Sequence, residues 1–252
     1  MAPNKMVREL EGLSDLIVKQ SRRGWFQECL GCEAKTLFRV STLAEPSAVR
    51  FTLLEESSCC LRVCCPAMRP WTTTLAHGAE EGGEALVLYE RPFKCAPGPA
   101  KCCCYQQVLA RDARSGQLLG SVVEAFYCCV PKLHVLDAAG TRTHFIRQPT
   151  CCFGTCVNVC DTHGGGCCKV PFYVYALADA DSEPDGKIVK VWGGLARELM
   201  TDADTFQLSA PKGAPTEQIA TLLGATVLIN ELYFESYAMG EGKEAASPSS
   251  ML

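Results

Sequence analysis

Residues Thr216 to Phe234 read TEQIATLLGATVLINELYF, and this stretch decides the fold. It is apolar on nearly every face, with Pro215 at the position where a helix start favours proline. Its strongly apolar part runs from Ile219 to Phe234. At 1.5 Å per residue that part is about 24 Å long, short of the roughly 30 Å hydrocarbon core of a bilayer. Asn230 and Glu231 lie inside it, and a glutamate at membrane depth is costly. The stretch reads either as a helix buried in protein or as a membrane span, and both the length and the polar pair favour the buried helix.

A helix apolar all round needs a shell, and the preceding residues supply strands. From Leu37 to about Trp192 the pattern is short runs and turns. Val49 to Leu54, Trp71 to Leu75 and Ala85 to Tyr89 are rich in β-branched and aromatic residues. Three pairs of runs flank turn sequences: Arg-Asp-Ala-Arg-Ser-Gly116, Ala-Ala-Gly140 and Asp-Ser-Glu-Pro-Asp-Gly186. Hairpins in succession without long helices between them predict antiparallel pairing, in a closed barrel or a sandwich. No break in composition divides the chain into two domains.

At the start of the chain, Met6, Leu10, Leu13 and Ile17 fall on one stripe of an amphipathic helix from Met6 to Gln20, with Gly12 against it. Lys19, Arg22 and Arg23 then stand beside Trp25. That mixture suits an anionic lipid surface, and equally a solvated helix end followed by core aromatics.

Apolar residues make up 48% of the chain and charged residues 21%, the composition of a globular protein. The formal charge of −4 argues against broad nucleic-acid binding, which needs a basic surface. No secretory signal is read at the start, so a reducing, intracellular compartment is expected for the 18 cysteines. Many are adjacent, as in Cys59-Cys60, Cys64-Cys65 and Cys102-Cys103-Cys104, and adjacent cysteines make poor disulfide staples. Metal binding, S-acylation and packing as small buried hydrophobes remain.

Several stretches, in this order, resemble the phospholipid scramblase family: Cys59-Cys-Leu-Arg-Val-Cys-Cys65 with Arg69-Pro-Trp71, Tyr89-Glu-Arg-Pro92, the cysteines at 102–104, Gly186-Lys-Ile-Val-Lys-Val-Trp192, Met200-Thr-Asp-Ala-Asp-Thr-Phe206, and the closing helix ending in Phe-Glu-Ser236. The resemblance covers about Leu10 to Ser236. It implies a mostly β, Tubby-like fold: a closed antiparallel barrel with the apolar C-terminal helix threaded through its core. The organisation expected is an N-terminal amphipathic segment over 1–26, the barrel over 27–236 and a flexible tail over 237–252. The implied activity is calcium-stimulated, ATP-independent, bidirectional movement of phospholipids between leaflets, with no bond chemistry and no catalytic residues. In agreement, the sequence holds no GxSxG, HExxH, P-loop or GxGxxG pattern.

The resemblance also assigns thioacylation to Cys102, Cys103 and Cys104, where Lys101 is expected to favour the thiolate. Calcium, the implied cofactor, has a candidate in a twelve-position loop from Asp202 to Gly213. It offers Asp202, Asp204 and Phe206 at positions one, three and five and the Leu208 carbonyl at seven, but it lacks the glycine at six and the closing carboxylate. Asp202 equally suits a turn cap. Cys59, Cys60, Cys64 and Cys65, and Cys151, Cys152, Cys156 and Cys160, have zinc or iron–sulfur spacing. On strands, though, adjacent pairs point to opposite faces, and free packed thiols are the competing reading.

The partners expected are membrane phospholipids, anionic ones above all, at the cytoplasmic face of the plasma membrane, with internal membranes and a homo-oligomer also open. Few residues precede the match, so the proline-rich extension that recruits SH3 or WW domains is not implied. Two rivals stand beside lipid movement: a membrane-tethered lipid-binding adaptor of Tubby-like fold, and a cysteine-ligated metal protein.

Overall fold

Alternation of inward apolar and outward polar residues runs through twelve strands, which close into one antiparallel barrel. The structure is a computed structural model. It describes residues 5–21, 36–65, 68–80, 82–95, 100–128, 130–149, 169–177, 183–191 and 204–235. The strands are β1 Asp15–Ser21, β2 Leu37–Thr42, β3 Val49–Glu56, β4 Trp71–His77, β5 Ala85–Arg91, β6 Gln107–Asp112, β7 Leu118–Glu124, β8 Lys132–Asp137, β9 Arg142–Arg147, β10 Lys169–Ala176, β11 Gly186–Val191 and β12 Thr205–Ser209. The helices are α1 Lys5–Leu10, α2 Cys59–Cys64 and α3 Thr216–Asn230, and α3 runs on into a π-helical turn, Glu231–Glu235.

Each strand pairs with its neighbours in sequence, and β1 closes the ring against β12 in the register Leu16↔Leu208 and Val18↔Phe206. Closure leaves no strand edge open to another chain.

The N-terminal helix is shorter than its periodicity predicts. α1 stops at Leu10, Gly12 turns the chain at φ +74°, and Asp15–Ser21 forms β1 in place of two further helical turns. Leu16, Val18 and Gln20 alternate inward and need β2 and β12 as partners, so pairing on both sides outweighs the helical stripe. Met6 and Leu10 do lie on the buried face of α1, whereas Ile17 turns outward.

α3 is the core of the barrel. Thr216 and every residue from Ile219 to Asn230 are buried, so no face is left to solvent. Two of its hydroxyls bond within the helix, Thr221 to the Glu217 carbonyl at 2.7 Å and Thr226 to that of Leu222 at 3.0 Å, so neither needs a partner on the wall. Two glycines allow a close approach. A Cβ on Gly224 would stand 2.8 Å from the Tyr89 ring, and one on Gly120 in β7 would stand 2.5 Å from Thr221 Oγ1. The Tyr89 hydroxyl donates to the Ala220 carbonyl at 2.8 Å and pins that ring in place, while burial pushes its pKa far above the ordinary tyrosine value.

The two ends of the barrel differ. Connections 43–48, 78–84, 113–117, 138–141 and 177–185, together with 210–215 leading into α3, lie at one end, which α1 also covers against α3 and β5. Connections 22–36, 57–70, 92–106, 125–131, 148–168 and 192–204 join strands at the other. α3 enters at the first end and finishes at the second.

Gly224→Ala sets a helix-propensity gain of about 1 kcal/mol against an overpacking cost of about 1–3 kcal/mol, because Tyr89 cannot retreat from its hydrogen bond. The variant is expected to melt several degrees below the parent in circular dichroism. An unchanged or raised midpoint would show that the helix is not held this closely.

Candidate functional site

The far end of α3 meets a ring of polar side chains. Along β1, β3, β5, β7, β9 and β11 the inward series closes at the second rim on Gln20, Glu55, Arg91, Glu124, Gln148 and Lys190, all buried. The polar end of the helix, Asn230 and Glu231, docks against this collar. Asn230 Nδ2 donates to Gln20 Oε1 at 3.4 Å, and Arg69 reaches Glu231 at 2.9 Å and both Glu55 oxygens at 3.3 Å.

Arg91 extends the network. Its guanidinium donates to Gln106 Oε1 at 2.7 and 3.1 Å and to the Arg69 carbonyl at 2.8 Å. Burial pulls the Arg91 pKa below its ordinary value, and Glu231 is the strongest of the charges opposing that. Lys101 and the Gln106 backbone N–H both bond Glu124 Oε2, at 2.6 and 3.0 Å. Four cations, Arg69, Arg91, Lys101 and Lys190, therefore face four carboxylates, Glu55, Glu124, Glu231 and Asp204. Charges taken from water need that balance.

The Arg69-Pro-Trp71 and Tyr89-Glu-Arg-Pro92 stretches thus meet at one place, which sequence reading did not foresee. The signal was present as a polar residue closing each inward apolar series: Leu16-Val18-Gln20, Phe51-Leu53-Glu55, Val87-Tyr89-Arg91 and Gly120-Val122-Glu124.

The described cysteines stand at the same rim. By sequence, all 18 fall in the segments that connect strands at this rim, and none in the connections at the opposite rim. Cys60, Cys64, Cys95, Cys102, Cys103 and Cys128 are exposed, with Phe93 and Phe126 exposed among them; the opposite rim exposes Leu43 and Leu177.

Within the triplet the three thiols differ. The Cys95 N–H donates to Cys104 Sγ at 3.0 Å, and Cys104 holds a left-handed backbone, φ +59°. The Cys95 side chain and then its N–H lower the Cys104 pKa, while Cys102 raises that of Cys103 through their hydrogen bond. Lys101 favours the Cys104 thiolate as expected, though as a smaller cause than Cys95. Its ammonium also pairs with Glu124, and Cys95 does most to favour the thiolate.

The four cysteines expected on a strand lie in fact at α2, with Cys59, Cys60 and Cys64 in the helix and Cys65 just after it. Helical spacing brings Cys60 and Cys64 Sγ to 4.0 Å, where a strand would have separated neighbours onto opposite faces. Among the described residues no three Cys, His, Asp or Glu side chains converge on a metal position. Cys151, Cys152, Cys156 and Cys160 lie outside the described residues.

Of the calcium candidates, Asp202 also lies outside the described residues, and Asp204 Oδ1 is held by Lys190 Nζ at 2.8 Å. Phe206 and Leu208 belong to β12, which is paired on both sides. Their carbonyls are committed to ladders and their side chains are buried, so neither completes a twelve-position loop. Of the lipid-contact candidates, Lys19 is exposed on β1, while Arg22, Arg23 and Trp25 are not among the described residues.

A family model described as Scramblase matches residues 2–236. Phospholipid scramblase 1 of Homo sapiens is 31% identical over 190 residues, which is 75% of this chain and 54% of that protein. Phospholipid scramblase 2 of Bos taurus is 32% identical over 183 residues, covering 72% and 56%. Phospholipid scramblase family member 5 of Homo sapiens is 26% identical over 236 residues, covering 92% and 79%. The chain spans about half the length of the first two relatives. No solved structure matches it.

Two measurements probe this rim. Arg69→Met removes the guanidinium shared by the buried Glu55 and Glu231 carboxylates and is expected to cost about 3–5 kcal/mol in urea unfolding. Arg111→Met breaks a half-exposed pair with Glu90 and is expected to cost about 1 kcal/mol or less. Equal losses would deny the collar its role. In timed alkylation at neutral pH, Cys104 is expected to react ahead of Cys103, and Cys95→Ser to slow it. Identical rates across the triplet would contradict the assignment of the thiolate.

Proposed function

Because this chain belongs to the scramblase family, we propose that it moves phospholipids in both directions between the leaflets of a bilayer. The observation that carries this reading is the family match over nearly the whole chain. The movement makes and breaks no bond and consumes no ATP.

The sidedness of the barrel supports a membrane geometry for it. Acyl chains on Cys102, Cys103 and Cys104 hold the cysteine rim against the cytoplasmic face of the plasma membrane. One chain gives marginal affinity and several give a stable anchor. Phe93 and Phe126 then lie at the same boundary. The strands have five to eight residues, where a spanning strand needs about 9–11. The lumen is apolar and filled by α3, whereas a membrane-spanning barrel has a polar interior. Both features support a barrel that stands on the bilayer.

Calcium acts at Asp202 and Asp204. Lys190, which holds Asp204, also lies 4.0 Å over the ring of Phe234, and Phe234 packs edge-on against Phe206 with centroids 5.7 Å apart. A divalent cation that takes the Asp204 carboxylate releases Lys190 and loosens the turn that ends α3. Two carboxylates without a closing ligand bind weakly, with Kd on the order of 10⁻⁴–10⁻³ M.

One observation favours a second reading. Among the described residues no helix is long and apolar enough to cross a membrane, and α3 occupies the lumen. A tethered adaptor that binds lipid without transporting it needs neither a spanning helix nor an open lumen.

Leaflet exchange of a fluorescent lipid, read by dithionite quenching in vesicles holding the folded protein, separates the two. Quenching beyond the half-way plateau is expected only at millimolar calcium, and not for the variant with Asp202→Ala and Asp204→Ala. A plateau at half under every condition would sink transport and leave the adaptor.

A further inference from the structure

Cys95 and Cys104 both belong to the connection between β5 and β6, and they meet through backbone and side chain alike. The Cys95 N–H donates to Cys104 Sγ at 3.0 Å, and the two thiols hydrogen-bond each other. Cys104 holds a left-handed backbone, φ +59°, which a residue with a Cβ seldom adopts, and in that conformation its sulfur meets the Cys95 N–H. On the other side, Gln106 Nε2 donates to the Cys95 carbonyl while Gln106 Oε1 accepts from the buried Arg91 guanidinium at 2.7 Å. Cys95 is therefore tied both to the collar and to Cys104. Its side chain is exposed, and that of Cys104 is half-buried.

The two sulfurs are chemically unequal. The Cys95 side chain and then its N–H hold the Cys104 pKa below the ordinary cysteine value, with Lys94 and Lys101 adding to the effect. The same contact raises the pKa of Cys95, which stays a thiol beside a favoured thiolate. Two other pairs of thiols are close but differ. Cys102 and Cys103, with sulfurs 3.8 Å apart, are adjacent in sequence and would close a strained ring. Between Cys60 and Cys64, 4.0 Å apart, the hydrogen bond raises the Cys64 pKa.

An accessible thiolate with a thiol against it is the arrangement of a peroxide-sensitive cysteine. We propose that Cys104 and Cys95 form an oxidation site for hydroperoxides, with Cys104 attacking and Cys95 resolving. The Cys104 thiolate attacks one peroxide oxygen, the O–O bond breaks, and the departing oxyanion takes a proton from solvent. Cys104 is left as a sulfenic acid. The Cys95 sulfur then attacks Cys104 Sγ, its thiol proton leaves with the displaced hydroxide as water, and the Cys95–Cys104 disulfide closes. Two thiols are oxidised, and the hydroperoxide is reduced to an alcohol and water. The thioester in the reading above draws on the same Cys104 sulfur, so the disulfide withdraws that position from acylation and leaves Cys102 and Cys103. The pairing of Cys95 with Cys104 does not rest on that reading.

The test uses the full, reduced, unacylated chain treated with equimolar hydrogen peroxide, then alkylated and mapped by peptide mass spectrometry. The Cys95–Cys104 disulfide is expected to form first and most abundantly. C95S is expected to stop at the sulfenic acid, so that dimedone labels Cys104. In C104S, dimedone labelling of Cys95 is expected to be about tenfold lower than that. C102S/C103S, which removes the neighbouring thiols, should keep the disulfide. All variants are checked for an unchanged melting midpoint, and the parent chain alone already decides which disulfide forms first. Earlier closure of Cys102–Cys103 or Cys60–Cys64, equal dimedone labelling of C95S and C104S, or loss of the disulfide in C102S/C103S would overturn the site. Acylation is read separately: a chain that forms the disulfide but takes no acyl chain sinks the anchor alone. A chain acylated at the triplet whose Cys95 and Cys104 stay reduced under peroxide before acylation sinks the oxidation site alone.

Discussion

A helix that is apolar on every side but ends in Asn230 and Glu231 has few stable environments. In water its length is exposed, and in a bilayer its polar end is stranded. The barrel resolves both demands at once. Apolar side chains from alternate positions line most of the lumen, and Gln20, Arg69 and the rest of the collar wait where the polar pair arrives. That pairing sets both the direction and the depth of α3.

Much of this was legible in the residues. The all-round apolarity of Ile219 to Phe234 and its shortness already spoke for a buried helix, and three turn sequences marked hairpins of the barrel. What failed did so for physical reasons. Asp15 to Ser21 carries both a 3.6-residue stripe and a two-residue alternation, and only the distant β2 and β12 decide between them. The cysteines at 59–65 were judged by strand geometry because the surrounding runs are strands, whereas six residues there wind into α2. The collar escaped notice because Glu55, Arg91 and Glu124 are charged, and charge reads as surface unless partners are known.

The cysteines give the molecule a polarity that composition alone conceals. A count of 18 invites a search for metal or disulfides, but position along the chain matters more. By sequence, every cysteine falls in a segment that connects strands at the rim where α3 finishes. Exposed thiols, buried charge and the end of the core helix are thus concentrated at one end of the barrel. Lipid attachment and any release of α3 would act on the same few connections.

Closure of the ring by β1 against β12 also governs how the molecule comes into being. Ser209 bonds Asp15 across a separation of 194 residues, so the last strand must form before the first is sealed. Contacts this distant make folding slow, because loop-closure entropy is lost before the contact rewards it. Until residues 205–209 emerge during synthesis, β1 has one free edge and β11 another, and the apolar wall has no helix to cover it. The barrel and its core helix thus have to mature together, late, and with the cysteines already made.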